Sequence, residues 1–256
     1  MNLVCLMFTT LLPMLNPDGV PWDNGVLDPA AMLARRALNT ALDKDVSFSA
    51  TVTVTIEGGE TGDILPRKEE FVYMRNRGWQ RFELDAAKVS IALDPEEAAT
   101  PKRLQLQKAI HVVSVEKKTN WFIYPQLKSY IDHAELPEFE SSAFGLPKVD
   151  KEKIGDEVVD GQKCVKYKVK VHCFMGDLDG TRWESIELQG LPIKTVVRMD
   201  EATITTALKD VKLTAPAAET FAIPKDYKRY TGEEFFKYLE QIIVKEYEEK
   251  QKQKSK

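Results

Sequence analysis

"VSFSATVTVTIEGG", Val46 to Gly59, is the stretch whose reading decides the fold. Val46, Phe48, Ala50, Val52, Val54 and Ile56 alternate with Ser47, Ser49, Thr51, Thr53 and Thr55. Successive side chains of a strand point to opposite faces, so this is a strand with one apolar face and one hydroxyl face. The apolar face covers either an ordinary core or a cavity that holds an apolar ligand. The alternation alone leaves both open.

The flanking sequence repeats the pattern. "KEEFVYMRNRGWQRFELD" reads as a hairpin turning at Asn76-Arg77-Gly78, and "IHVVSVEKKTNWFIYPQLKSYIDHA" as a second one around Lys117 to Asn120. "KIGDEVVDGQKCVKYKVKVHCF" turns at Asp160-Gly161, a strong short hairpin signal. "GDLDG", Gly176 to Gly180, reads as another tight turn. "TRWESIEL", "IKTVVRMD" and "TITTALKDVKL" complete the strands. A long loop is expected over Glu135 to Pro147.

Helices are expected near the start, the middle and the end. Asp28-Pro29 supplies an N-cap and a first helical position for "PAAMLARRALNTALDKD", with Met32, Leu33, Leu38 and Leu42 at helical spacing. "DPEEAATPKRLQLQKA" opens with Asp94-Pro95, and Pro101 kinks or splits it. Thr231 with Glu234 fits a capping box. It precedes a face of Phe235, Phe236, Leu239, Ile242, Ile243 and Tyr247. The charged tail from Glu248 is expected to fray. About ten strands joined by hairpins make an antiparallel sheet, and helices set apart from the strands make the class α+β.

One strand assigns the wet side. Cys164, Lys166, Lys168, Lys170 and His172 share a face, and Val165, Tyr167, Val169 and Val171 share the other. Three lysines in a row stay in water, because burying unpaired charge is costly. The sheet is therefore expected to be wet on one side and apolar on the other.

Composition and motifs exclude several classes. Of 256 residues 43% are apolar and 30% charged, with only 13 Gly and 13 Pro, which is the make-up of a folded chain. A net charge of -4 with no basic stripe is not a nucleic-acid footprint. There is no P-loop, G-x-S-x-G, G-x-G-x-x-G or H-E-x-x-H, so no catalytic residue, cofactor or metal is assigned. "MGDLDG" fails as a calcium loop, since Met175 and Ile186 fall at the first and twelfth ligand positions. His111, His133 and His172 lie on separate strands and read as surface or half-buried residues. Cys164 and Cys173, nine apart in one strand, lie roughly 30 Å apart, too far to pair. Trp121, Phe122, Tyr124 and Tyr130 read first as cross-strand aromatic pairs and second as the lining of a pocket mouth.

"LVCLMFTTLLPML", Leu3 to Leu15, is too short for a transmembrane span and has the length of a secretion-signal core. No basic start or small-residue cleavage site accompanies it. The expected organisation is a leader segment over residues 1–21, one domain over 28–230, and an amphipathic helix with a charged tail over 231–256.

"FSATVTV", "VYMRNRGWQRFEL", "WFIYPQLKSYI", "GDEVVDGQKCVKYKV", "LQGLPIKTVVRMD" and "FAIPKDYKRY", taken in order, resemble the LolA-like proteins, the relatives of the outer-membrane lipoprotein carriers. The resemblance covers roughly Pro29 to Tyr230 and rests on strand patterns and turn glycines. It implies a half-open antiparallel β-barrel with helices covering an apolar concave face, and an exported, periplasmic protein. It implies lipid or lipoprotein acyl chains as partners and no catalysis. Runner-up readings are a sensory or structural envelope domain that binds a protein partner and, third, an enzyme on the same fold. Burying each CH₂ is worth roughly 0.8 kcal/mol, so a long acyl chain needs a wall of a dozen or so apolar side chains. Phe48, Val52, Val54, Phe82, Leu84, Val113, Val115, Val165, Tyr167, Val169 and Val197 are the expected wall. The strand patterns place few polar groups among them.

Overall fold

The computed structural model describes Leu38, Leu42, Lys102 and residues 46–58, 66–91, 104–114, 116–132, 147–173, 176–199 and 202–254. The expected leader, the N-terminal helix except Leu38 and Leu42, most of the middle helix, His133 and the loop over 135–146 lie outside them.

The strands are β1 (Phe48–Glu57), β2 (Arg67–Asn76), β3 (Trp79–Ile91), β4 (Lys108–Ser114), β5 (Thr119–Tyr124) and β6 (Ser129–Asp132). They continue as β7 (Lys148–Val159), β8 (Gln162–Cys173), β9 (Gly176–Ser185), β10 (Leu191–Met199), β11 (Ala202–Lys212) and β12 (Lys228–Tyr230). All twelve form one sheet in the order β12-β6-β5-β4-β3-β2-β1-β11-β10-β9-β8-β7. About ten strands were expected; the added ones are short. Pro125–Leu127 forms a 3₁₀ turn that breaks "WFIYPQLKSYI" into β5 and β6, and β12 pairs with β6 in parallel.

The order follows from turn chemistry. The chain walks outward from β1 to β6, each strand pairing antiparallel with the one before it. It then begins again at the far edge with β7 and walks back until β11 pairs with β1. Arg77 and Gly78 have φ of 45° and 79°, and Asp160 and Gly161 have 48° and 79°. Two consecutive left-handed residues match the twist of the strands they join, so both expected hairpins form. β8 ends at Cys173 and β9 starts at Gly176, so the reversal comes before "GDLDG". That stretch is strand, not a turn. Gly180 lies inside β9 because the backbone of β10 leaves no room for a side chain there.

One α-helix, α1 (Gly232–Lys254), has its full bounds among the described residues. The capping box forms: the Thr231 amide donates to Glu234 Oε2 at 2.8 Å, and the Glu234 amide donates to Thr231 Oγ1 at 3.2 Å. The helix continues to Lys254, past the point where fraying was expected. Among its described side chains Phe235 and Leu239 are buried, and Phe235 stacks on Tyr124 at 4.7 Å.

The apolar residues of β1 share a face with Tyr73, Phe71, Phe82, Ile204, Leu208, Val197, Val169 and Val171 through the strand registers, and all pack in one cluster with Leu38 and Leu42. The opposite face is not uniformly wet, as the lysine strand implied. Val112 and Ile123 are buried there in one cluster with Phe221 from the segment between β11 and β12. That segment is tied down by Arg81 Nη1 donating to the Thr220 carbonyl and Asn76 Nδ2 donating to the Pro216 carbonyl, each at 2.8 Å. Cys164, Trp183 and Ile193 form another dry patch, where Lys166 and Lys194 lie over the Trp183 ring at about 5 Å. Burial pushes the Cys164 thiol above its ordinary pKa. Lys168 and Lys170 remain exposed as expected.

Candidate functional site

The dry face of the sheet is the largest continuous apolar surface in the described structure. Alternation on each strand builds it, and register joins the strands: Val52 faces Phe71 on one side and Leu208 on the other. Of the expected wall residues, Phe48, Val52, Val54, Phe82, Leu84, Val113, Val169 and Val197 are buried together in one cluster. Tyr167 packs against it half-buried, and Val165 is half-buried near the β7 edge. Val115 lies outside the described residues. Of the four expected aromatics, Phe122 and Tyr124 take the dry face, while Trp121 and Tyr130 pack on the other, Trp121 against Trp79 at 6.1 Å.

Polar groups on this face are more numerous than the strand patterns implied. Arg67 and Glu69 are buried on β2 as an ion pair. His111 is buried too, not at the surface. It stacks on Phe122 at 4.3 Å, and its Nε2 lies 2.7 Å from Asn120 Oδ1. A further set runs across four strands. Thr206 of β11 faces Thr195 of β10, Thr195 faces Arg182 of β9, and Arg182 faces Tyr167 of β8. Arg182 is 0% exposed, Thr206 2% and Thr195 3%. Glu184, 5% exposed, lies 4.0 Å from Arg182 Nη1 and accepts from Lys151 Nζ at 2.8 Å. Lys151 reaches in from the edge strand β7 over the Tyr167 ring. Thr195 Oγ1 is buried without a hydrogen-bond partner. An orphaned buried hydroxyl costs roughly 1–3 kcal/mol, which a valine of the same shape would avoid.

This row is not legible in "GTRWESIEL", where Arg182 and Glu184 alternate with Trp183 and Ser185 and either pair could face the core. Placing Trp183 inward puts Arg182 and Glu184 outward, and the structure has the reverse. The choice is made by the register with β8: Tyr167 and Val169 face inward, and their partners on β9 are Arg182 and Gly180.

A second cluster lies on the outer side of the β7–β9 margin. The His172 ring lies between two carboxylates, with Nδ1 2.8 Å from Asp177 Oδ1 and Nε2 2.9 Å from Asp150 Oδ2. Two acceptors on two ring nitrogens favour the imidazolium, so the His172 pKa is raised above 6.5 by Asp150 and Asp177. The two carboxyls are lowered below 3.8, chiefly by His172. The clamp's contribution is therefore full below pH 6.5 and is lost as pH rises through the raised histidine pKa; on the acid side it is full above pH 3.8 and is lost as pH falls through the lowered carboxyl values. Titrating the His172 ring protons by NMR should give a midpoint above 6.5, falling back toward 6.5 in an Asp150→Asn/Asp177→Asn protein. An unchanged midpoint would show that the carboxylates do not hold the ring. Beside this cluster Asp150, Lys151, Glu152, Lys168, Val169, Lys170 and Asp179 line an open groove of about 280 Å³. Its lining is charged of both signs and does not suit an apolar ligand.

The described histidines pair with Asn120 and with the two aspartates, so neither of these hydrogen bonds activates a nucleophile. Among the described residues no helix is long and apolar enough to cross a membrane.

No protein-family model matches the chain, and no curated protein matches it. Solved structures are similar to it in fold. LprF from Mycobacterium bovis is 13% identical over 78% of this chain and 98% of its own, with a TM-score of 0.39. The lipoprotein LppX from Mycobacterium tuberculosis is 13% identical over 74% of this chain and 99% of its own, with a TM-score of 0.40. A LolA superfamily protein from Nitrosomonas europaea is 10% identical over 75% of this chain and 97% of its own, with a TM-score of 0.35. One of these similar structures is thus of a LolA superfamily protein, the group whose strand motifs this sequence resembles.

Proposed function

We propose that the protein is a non-catalytic lipid- or lipoprotein-binding protein of the cell envelope, exported and periplasmic, that holds acyl chains against the dry face of its sheet. The observation that carries this reading is the breadth of that face. One apolar cluster extends from β4 through β3, β2, β1, β11, β10 and β9 to β8 without a break. Neighbouring strands lie about 4.8 Å apart, so eight strands span about 34 Å, more than the length of an extended sixteen-carbon chain. Phe48, Val52, Val54, Phe82, Leu84, Val113, Val165, Tyr167, Val169 and Val197 are its proposed wall. Leu38 and Leu42, which pack in the same cluster, hold the place that an acyl tail would take.

The test is native mass spectrometry of gently purified protein, followed by titration with a fluorescent fatty acid. The expected result is a bound lipid, or saturable probe binding at one or two sites. Protein that carries no lipid and ignores the probe would sink this reading. It would favour a domain that binds a protein partner, with Leu38 and Leu42 as permanent core.

A further inference from the structure

We propose that the row Thr206–Thr195–Arg182–Tyr167 is a head-group site: the Thr195 hydroxyl donates to an acceptor oxygen of the ligand, with the Arg182 guanidinium alongside. This rests on the acyl-binding reading above and deepens it, because it assigns the ligand a carboxylate or an ester carbonyl at a defined place.

Three observations lead there. The strand registers bring the four side chains side by side on the dry face although they lie on four separate strands. Thr195 Oγ1 is buried with no partner inside the protein, and two residues further along the same face β10 places Val197. A β-branched apolar residue therefore fits this face, and the hydroxyl at 195 contributes nothing to packing. Finally, charge is graded toward the row from the rim. Lys151, 30% exposed, binds Glu184, and Glu184 lies 4.0 Å from the fully buried Arg182. Lys and Arg donate but never accept, and a hydroxyl beside them completes its own bonding best by donating as well. The group that suits this set is an oxygen acceptor. Charge-assisted bonds to such an oxygen are the strong kind, so the site also sets the orientation of the ligand, head toward β9 and β10 and tail along the wall of β1 to β4.

Two sources share this chemistry, the carboxylate of a free fatty acid and the ester carbonyl of an acylated lipid. The experiment uses Thr195→Val, which keeps the shape and removes the hydroxyl. Binding of oleic acid, methyl oleate and an octadecene without oxygen is measured by competition against a fluorescent fatty acid, on the wild-type and the variant full chains. The expected result is that the wild type prefers the oxygen-bearing ligands to octadecene, and that Thr195→Val weakens them about fivefold to tenfold while leaving octadecene unchanged. The variant should melt no lower than the wild type. A preference for the acid over the methyl ester assigns the site to carboxylates, and equal affinity assigns it to carbonyls. Equal binding of all three ligands by the wild type, or equal affinities in the two proteins, overturns the head-group site and leaves the acyl-binding reading standing. Failure of the wild type to bind any of them overturns that reading, and the site with it.

Discussion

Replacing Gly180 with alanine is expected to cost about 4 kcal/mol or more, at the extreme of single-substitution effects. Gly180 lies in the middle of β9, between Val169 of β8 and Val197 of β10. A Cβ built there would lie 2.2 Å from the Val196 carbonyl oxygen and 2.9 Å from Val197 Cγ1. The nearer atom is backbone, so no rotamer change relieves the clash. Only a separation of β9 from β10 would do so, at the expense of ladder hydrogen bonds and of the dry face that both strands carry. The reason is steric, since Gly180 does not need a left-handed backbone. Gly155→Ala is the matched control: it sits at the bulge of the edge strand β7 with nothing within 4 Å of its Cβ position. It should leave stability within about 0.5 kcal/mol. Urea denaturation of both proteins, with soluble yield as a second readout, makes the comparison. A Gly180→Ala protein as stable as the Gly155→Ala one would show that β9 and β10 are not this close.

The second large effect is expected at Phe82. This ring is fully buried and lies 5.0 Å from Tyr73, 5.6 Å from His111 and 6.0 Å from Phe71, centroid to centroid. Four aromatic rings from β2, β3 and β4 thus meet at one point of the dry face. Phe82→Ala removes the central one and should cost about 3–5 kcal/mol, the transfer term plus a cavity that strands on both sides keep from collapsing. The denaturation midpoint should fall while its slope stays constant, since the surface exposed on unfolding barely changes. A loss under about 1 kcal/mol would mean that the surroundings collapse into the gap, and the sheet would then be more plastic than the contacts indicate. The substitution also probes function. On the proposed acyl-binding function, a variant that still folds carries extra apolar volume beside the dry face and should bind a fluorescent fatty acid at least as well as the wild type.

Much of the fold was legible because it is local. Asp160-Gly161 and Arg77-Gly78 demand left-handed backbone, and the hairpins form there. Thr231 and Glu234 satisfy two otherwise unpaired amides, and α1 starts there. "GDLDG" was misread for a local reason as well. Gly and Asp are turn residues, but the chain reverses just before them, and Gly180 serves a contact with β10, a strand the local pattern does not reveal. The inward-facing apolar residues of β1, β3, β8 and β10 were legible because alternation marks one face of each strand. The polar row was not. Arg182 and Glu184 alternate with Trp183 and Ser185, and either pair of side chains could have faced the core.

The amino-acid sequence by itself therefore determined which residues form strands, where most hairpins turn, and which face of β1 and β8 is dry, because turn chemistry and alternation act within a few residues. The tertiary structure decided what the alternation leaves undetermined. Register along β8, β9 and β10 set Trp183 outward and Arg182 inward, β11 returned to pair with β1, and the segment before β12 covered part of the face that lysines had marked as wet. A one-residue slip in pairing exchanges the faces of a whole strand, and that choice belongs to the packing of distant strands against one another.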